Sequence, residues 1–192
     1  MGHSKAEKAE THKRIVSIAA KRLREEGLNG VGIAELMKEA GLTVGGFYKH
    51  FHSRDELVSE AVRSVFGGWQ RQLDAAATGG PPFSYAKLVD NYLTEAHRDN
   101  PGTGCAFSAL TAEIARGDKR TRALATEQIR NDLQLVADLL PRKDKRAARS
   151  KAILTFSALV GAVSLARAVS DESLSREILK TVAERLKTTA PA

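Results

Sequence analysis

Gly41-Leu42-Thr43-Val44-Gly45-Gly46-Phe47-Tyr48-Lys49-His50-Phe51 decides the fold of this 192-residue chain. Before it, Ile33, Leu36, Met37 and Ala40 recur at helical spacing, and Gly41 is a natural stop. Thr43 is a good N-cap for the next helix. Phe47 and Phe51 stand four apart and share a face, which directs both into a core. After the stretch, Ser53-Arg54-Asp55-Glu56 has the form of a capping box opening another helix. Helix, glycine turn, short helix is the outline of a helix-turn-helix.

The two glycines in the first turn of the short helix cost about 1 kcal/mol each there. Stability alone does not select them. They suit a backbone that must come close to another surface; a tight helix corner that only relieves crowding is the alternative. With Phe47 and Phe51 turned inward, Thr43, Val44, Gly45, Tyr48, Lys49 and His50 remain on or near the outside. A tyrosine hydroxyl and a lysine in such a place suit phosphates and base edges.

Working outward, every segment reads as helix and no alternating strand run stands out. The predicted fold is all-α with about nine helices. The first spans about Glu7 to Glu26 and stops at Gly27; the second runs from Gly32 to Ala40 and the third follows Thr43. The fourth is a connecting helix from Ser53 to about Ala77, with Leu57, Ala61, Val65, Trp69 and Leu73 on one side. Thr78-Gly79-Gly80-Pro81-Pro82 breaks the pattern. Beyond it, helices are expected over 83–98, 103–115, 119–140, 143–169 and 172–188. The organisation this predicts is an N-terminal domain over 1–52, a connecting helix over 53–77 and a C-terminal domain over 78–192.

The net charge of +7 favours a polyanionic partner without proving one. Residues 1–63 hold eleven Lys and Arg against nine Asp and Glu, so any basic face there must be local and made by the fold. Cys105 is the one cysteine, which excludes an intramolecular disulfide and fits a reducing cytoplasm. Met1 to Thr11 is polar and has no signal-peptide core. The apolar run Ala152–Ala168 is interrupted by Thr155, Ser157, Ser164 and Arg167 and is shorter than the ~20 residues of a span. The expected location is the cytoplasm, with no membrane partner.

The segment from Ile15 to Leu57 resembles the N-terminal domain of the tetracycline-repressor family of transcriptional regulators. The resemblance runs through Arg14-Ile15-Val16-Ser17-Ile18-Ala19-Ala20, Glu26-Gly27, Ile33-Ala34-Glu35-Leu36 and Ala40-Gly41-Leu42-Thr43. It continues through Phe47-Tyr48-Lys49-His50-Phe51 and Ser53-Arg54-Asp55-Glu56-Leu57. It implies a three-helix DNA-binding domain and a larger ligand-binding and dimerisation domain. It also implies phosphate contacts from Thr43 and Tyr48, groove contacts from Val44, Gly45 and Lys49, with Gly46 and His50 beside them, and a backbone contact from Arg54. Two positions depart from the pattern: Gly32 replaces the usual Ser or Thr cap of the second helix, and Met37 the usual Ala.

The C-terminal half is read mainly from its chemistry. A ligand pocket is expected among Trp69, Tyr92, Phe107, Leu110, Ile114 and Leu133, with Phe66, Leu88 and Val136 as further walls; plain core is the commoner fate of such residues. By resemblance, the last two helices form a homodimer interface through Phe156, Leu159, Val160, Val163, Ile178 and Val182, with internal core as the alternative. Cys105 stands near a helix start, where a thiol can become reactive; a small buried apolar residue is the blander reading and the favoured one. Glu95, His97 and Asp99 match no closed metal-ligand set. Neither metal nor cofactor is implied.

The function these readings converge on is a DNA-binding regulator of a palindromic operator, a repressor released by an unknown small molecule. Control by Cys105 modification or by a protein partner at the basic run 142–151 is the alternative. A small helical enzyme lacks a nucleophile constellation, a phosphate loop or a zinc spacing to support it.

Overall fold

A computed structural model describes residues 5–28, 30–66, 68, 69, 74, 83–140 and 144–188. Among them there is helix and no strand. α1 (Lys5–Glu26) turns Ile15, Ala19, Ala20 and Leu23 inward. α2 (Ile33–Glu39) starts at Gly32, which supplies no side-chain cap, as the missing hydroxyl requires. Its end is built by Gly41 at φ +70. Gly41 N–H donates to Lys38 O at 3.0 Å and Leu42 N–H to Met37 O at 2.8 Å, the double closure of a Schellman turn. An L side chain at that φ is strained, so glycine fits here for a backbone reason.

The third element is a 3-10 helix, Val44–Lys49, where the periodicity predicted an α-helix. Thr43 precedes it without a side-chain cap bond; its carbonyl accepts from Gly46 N–H at 2.9 Å instead. α3 (Arg54–Ser64) begins as expected, with Ser53 Oγ accepting from Glu56 N–H at 3.1 Å. Glu56 in turn accepts from the backbone N–H of His52.

The predicted connecting helix to Ala77 is not continuous. α3 ends at Ser64, with Val65 as C-cap and a bend at Phe66. Gly67-Gly68 follows, a pair that costs about 2 kcal/mol inside a helix. Helical backbone resumes at 68–69, and the remainder of that prediction, with the break at 78–82, lies outside the described residues.

The predicted helix over 83–98 divides into α4 (Tyr85–Tyr92) and α5 (Glu95–Asp99). Thr94 divides them by capping α5: its Oγ1 accepts from His97 N–H at 3.1 Å. A short 3-10 turn, Pro101–Thr103, precedes α6 (Ala106–Arg116), so the helix expected from 103 starts three residues later. α7 (Lys119–Asp138), α8 (Lys145–Ala168) and α9 (Glu172–Thr188) fall close to prediction. Arg142 and Lys143 of the basic run lie outside the described residues.

Two cores result. One gathers Ile15, Leu23, Leu36, Met37, Phe47, Phe51 and Leu57 around α1. The other gathers Trp69, Leu88, Tyr92, Phe107, Val136, Phe156, Leu159 and Val163, with α8 packed along α7 and α9. α6 belongs to both: Ala106 and Leu110 close the first core, and Phe107 enters the second. Two arginines fasten α5. Arg98 Nη1 donates to Ser175 Oγ at 2.8 Å and Nη2 to Glu172 Oε1 at 3.0 Å. Arg167 donates to the carbonyls of Arg98 and His97 at 2.8 and 2.6 Å.

By length and composition α8 would pass for a membrane span, more so than the interrupted run 152–168 suggested. Its inner residues Ala152, Thr155, Phe156, Leu159 and Val163 are buried in the second core, the position of a core helix.

Candidate DNA-facing segment and ligand cavity

Phe47 and Phe51 are fully buried, their ring centroids 5.4 Å apart, and they anchor the 3-10 segment from below. Anchoring two residues on one side presents the others. Tyr48 is 67% exposed and Val44 50%, and Thr43, Gly45 and Lys49 are exposed with them. A methyl added at Gly45 would meet nothing within 4 Å, so nothing in this fold requires glycine there.

The other three predicted contact residues face inward in part. A methyl on Gly46 would stand 3.6 Å from Met37 Cε and from Thr43 Oγ1, so the methionine that replaces the usual alanine fills the space beneath this glycine. His50 is half-buried beside Phe51, with its Nδ1 enclosed and unpartnered among the described residues. Burial, then His12, Lys8 and Lys49, push its pKa below the ordinary value. Lys8 of α1 thus acts on the same ring as Lys49, a cation near the segment that the motif-based reading missed. Arg54 is engaged within the subunit: Nε donates to Val31 O and Nη2 to Leu28 O, both at 2.9 Å. It holds the loop between α1 and α2. The carbonyls it meets lie 23 and 26 residues back, which no local motif reports.

A cavity of about 390 Å³ lies at the other end of α3. Of the predicted walls, Trp69, Tyr92 and Phe107 line it, with Phe66 and Leu88. Leu110, Ile114, Leu133 and Val136 are in or against the cores instead. Trp69 meets Tyr92 edge-on at 5.6 Å, and Phe66 stacks on Phe107 at 5.2 Å. Polar groups not anticipated from the sequence also line it: Arg24, Asn91, His97, Gln128 and Asp132.

His97 is held as a neutral ring. Its Nδ1 meets Tyr92 O at 2.7 Å and must donate, while its Nε2 accepts from Cys105 N–H at 2.9 Å and must be bare. Burial lowers its pKa, in keeping with that neutral state. Cys105, the N-cap of α6, lines the cavity too, and burial pushes its thiol up, away from the reactive thiolate. Tyr92 is buried, and its hydroxyl has no hydrogen-bond partner among the described residues. The nearby Ser108 hydroxyl donates to Cys105 O at 2.9 Å and accepts from Arg167 at 3.1 Å.

Asp132 is 8% exposed, and burial pushes its carboxyl up to about 6 against the pull of Gln128. It shares a stripe of α7 with Ala125, Ile129 and Val136, and a single acid on an apolar stripe was the available sequence signal. Because the folded pKa is raised, the folded chain keeps a proton that the unfolded chain has released. That contribution favours folding at low pH and is lost as pH rises through about 6. Above it the ionised group costs roughly 2–3 kcal/mol at ~1.4 kcal/mol per pKa unit. Asp132→Asn is therefore expected to raise the thermal midpoint at pH 7.5 by roughly 4–10 °C, and to have little effect near pH 4. Equal midpoints at pH 7.5 would refute the assignment.

On the predicted dimer face, Phe156, Leu159 and Val163 are buried within the subunit, while Val160, Ile178 and Val182 are half-buried. The apolar residues left outward on these helices are others. Leu154 and Leu165 of α8 are 63% and 59% exposed, and Leu174 of α9 is 42% exposed. Gly161 lies between the two leucines at helical spacing, and a methyl there would meet nothing within 4 Å.

Comparison with known proteins agrees with this architecture. Residues 15–61 match the family described as bacterial regulatory proteins, tetR family. An uncharacterized HTH-type transcriptional regulator of Mycobacterium tuberculosis is 30% identical over 169 residues, 82% of this chain and 84% of that protein. The HTH-type transcriptional repressor KstR2 of Mycolicibacterium smegmatis is 29% identical over 68 residues, 33% of each chain. The crystal structure of a TetR-family transcriptional regulator from Cytophaga hutchinsonii superposes with a TM-score of 0.75 at 18% identity, covering 100% of both chains.

Proposed function

This chain belongs to the tetR family of bacterial regulatory proteins and is a DNA-binding transcriptional regulator, and on that premise we propose that it is a cytoplasmic repressor which a small molecule releases from a palindromic operator. The observation that carries the reading of the interface is the presented row Thr43, Val44, Gly45, Tyr48 and Lys49, with open space at Gly45. Glycine there serves close approach by a duplex. Gly46, His50 and Arg54 support that row from within.

The repressor is a homodimer. Leu154, Gly161 and Leu165 of α8, with Leu174 of α9, form the face that a second copy covers, and Gly161 lets the two α8 helices come close. A two-fold pair presents two segments to half-sites about one DNA turn, ~34 Å, apart. Residues 1–52 act as the reading part, 53–77 as the link and 78–192 as the sensing and pairing part. Ligand control runs through α6, whose Ala106 and Phe107 line the cavity while Leu110 closes the core under the DNA-facing segment. A ligand shifts the operator affinity by as much as it distinguishes the two arrangements of α6.

The test is a titration of the full-length protein onto duplexes from the region flanking its own gene. Two chains per duplex are expected. With the Lys49 charge brought to the duplex by each subunit, affinity falls at least about tenfold between 50 and 200 mM salt. One chain per duplex, or affinity independent of salt, would overturn the proposal.

A further inference from the structure

Among the described residues, the cavity holds an acid with no cation partner. Among the described residues, Asp132 accepts one hydrogen bond, from Gln128 Nε2 at 2.9 Å, and enters no ion pair. Nearby cations are engaged elsewhere. Arg24, at the rim, donates to the Gly102 carbonyl, and Arg167 to the carbonyls of His97 and Arg98. His97 is fixed as the neutral ring by its two partners. A buried carboxylate in this state gains from any positive group that enters.

Two independent observations point the same way. The Tyr92 hydroxyl is buried at the same cavity beside the Cys105 thiol and the Ser108 hydroxyl, and makes no well-formed hydrogen bond among the described residues. It is a polar atom in want of one. The remaining wall is aromatic, with Trp69 edge-on to Tyr92 and Phe66 stacked on Phe107. Ring faces carry negative potential and attract cations, and the apolar body of a ligand packs well among them.

We propose that this cavity binds an organic cation, an amine or quaternary ammonium on an apolar or aromatic body, with the charge against Asp132, the body among Trp69, Phe66 and Phe107, and a hydrogen-bonding group against the Tyr92 hydroxyl. This deepens the reading of the chain as a ligand-responsive regulator and rests on it. A neutral ligand leaves the carboxylate unpaired, and an anion is repelled by it. The cation removes both penalties and stabilises the folded chain on binding.

Trp69 is the single tryptophan of the chain, so its fluorescence reports on this cavity. The full-length protein, free of DNA, is titrated at pH 7.5 with phenyltrimethylammonium and, separately, with its uncharged isostere tert-butylbenzene. Saturable quenching by the cation is expected, at least about tenfold tighter than by the isostere. Asp132→Asn should abolish that preference by weakening the cation, with the isostere unchanged. This variant keeps the oxygen that meets Gln128, and its thermal midpoint checks that it folds. An isostere that binds as tightly as the cation, a preference that survives Asp132→Asn, or no saturable quenching by the cation would each overturn the proposal. Because DNA binding is measured separately, these failures with operator binding intact refute the cation alone; loss of operator binding with cation binding intact refutes the regulator's proposed control.

Discussion

Tyr48→Phe combined with Lys49→Ala is expected to weaken operator binding about tenfold per subunit, and so about a hundredfold for a dimer on two half-sites. The estimate takes one charge-assisted hydrogen bond, worth roughly 1.5–3 kcal/mol, as the main loss at each subunit. Both side chains are exposed, so the fold is not at stake, and unfolding free energy should change by no more than about 0.5 kcal/mol. Loss of the Lys49 charge at the duplex surface also flattens the salt dependence, by up to about one unit of slope per subunit. Fluorescence anisotropy with a labelled operator, run at several salt concentrations, reads both effects. Wild-type affinity in the double variant would mean that the 3-10 segment does not enter the groove.

Phe47→Ala has the opposite profile. The ring is fully buried in the first core and packs against Phe51, so its removal leaves a cavity and is expected to cost about 3–5 kcal/mol. That is a large share of a typical stability of ~5–15 kcal/mol, and urea unfolding would show it as a midpoint shift. Phe47→Leu keeps most of the volume and should cost less than about 2 kcal/mol. DNA affinity falls in Phe47→Ala because the platform beneath Tyr48 is lost, although Phe47 touches no DNA. A loss under 1 kcal/mol in the alanine variant would mean that the pocket around Phe47 refills or that the segment is held by other contacts.

The contrast between these neighbours was readable from spacing. Phe47 and Phe51 at i, i+4 announced the inward face, and what lay between them was left outward. Gly41 and Ser53 announced their turns because each acts through backbone atoms a few residues away. What went unread depends on distant partners. Arg54 looks like a free cation until the carbonyls of Leu28 and Val31 are placed beside it. The 3-10 winding of Val44–Lys49 is not encoded in a helical period, and of its two glycines only Gly46 lies over Met37.

α8 is the clearest case of ambiguity. Its apolar residues run around most of its circumference, so periodicity alone could not say which face turns inward. The expected interface residues Phe156, Leu159 and Val163 became core, and Leu154 and Leu165 remained outside. The apolar spacing of Leu57, Ala61, Val65, Trp69 and Leu73 predicts an unbroken helix and carries no sign of the bend at Phe66. Asp132 is one of three acids in α7, with Glu127 and Asp138, and an acid in a long helix reads as surface until the packing is known.

α6 contributes Ala106 and Leu110 to one core and Phe107 to the other. The DNA-reading part is therefore not excisable. A fragment ending before α6 would leave the core around α1 open where those two side chains belong, and would aggregate or loosen rather than bind DNA as a minimal domain. The border between the halves is a shared wall, so a chimera that grafts this reading head onto another sensor must carry α6 with it or rebuild the wall.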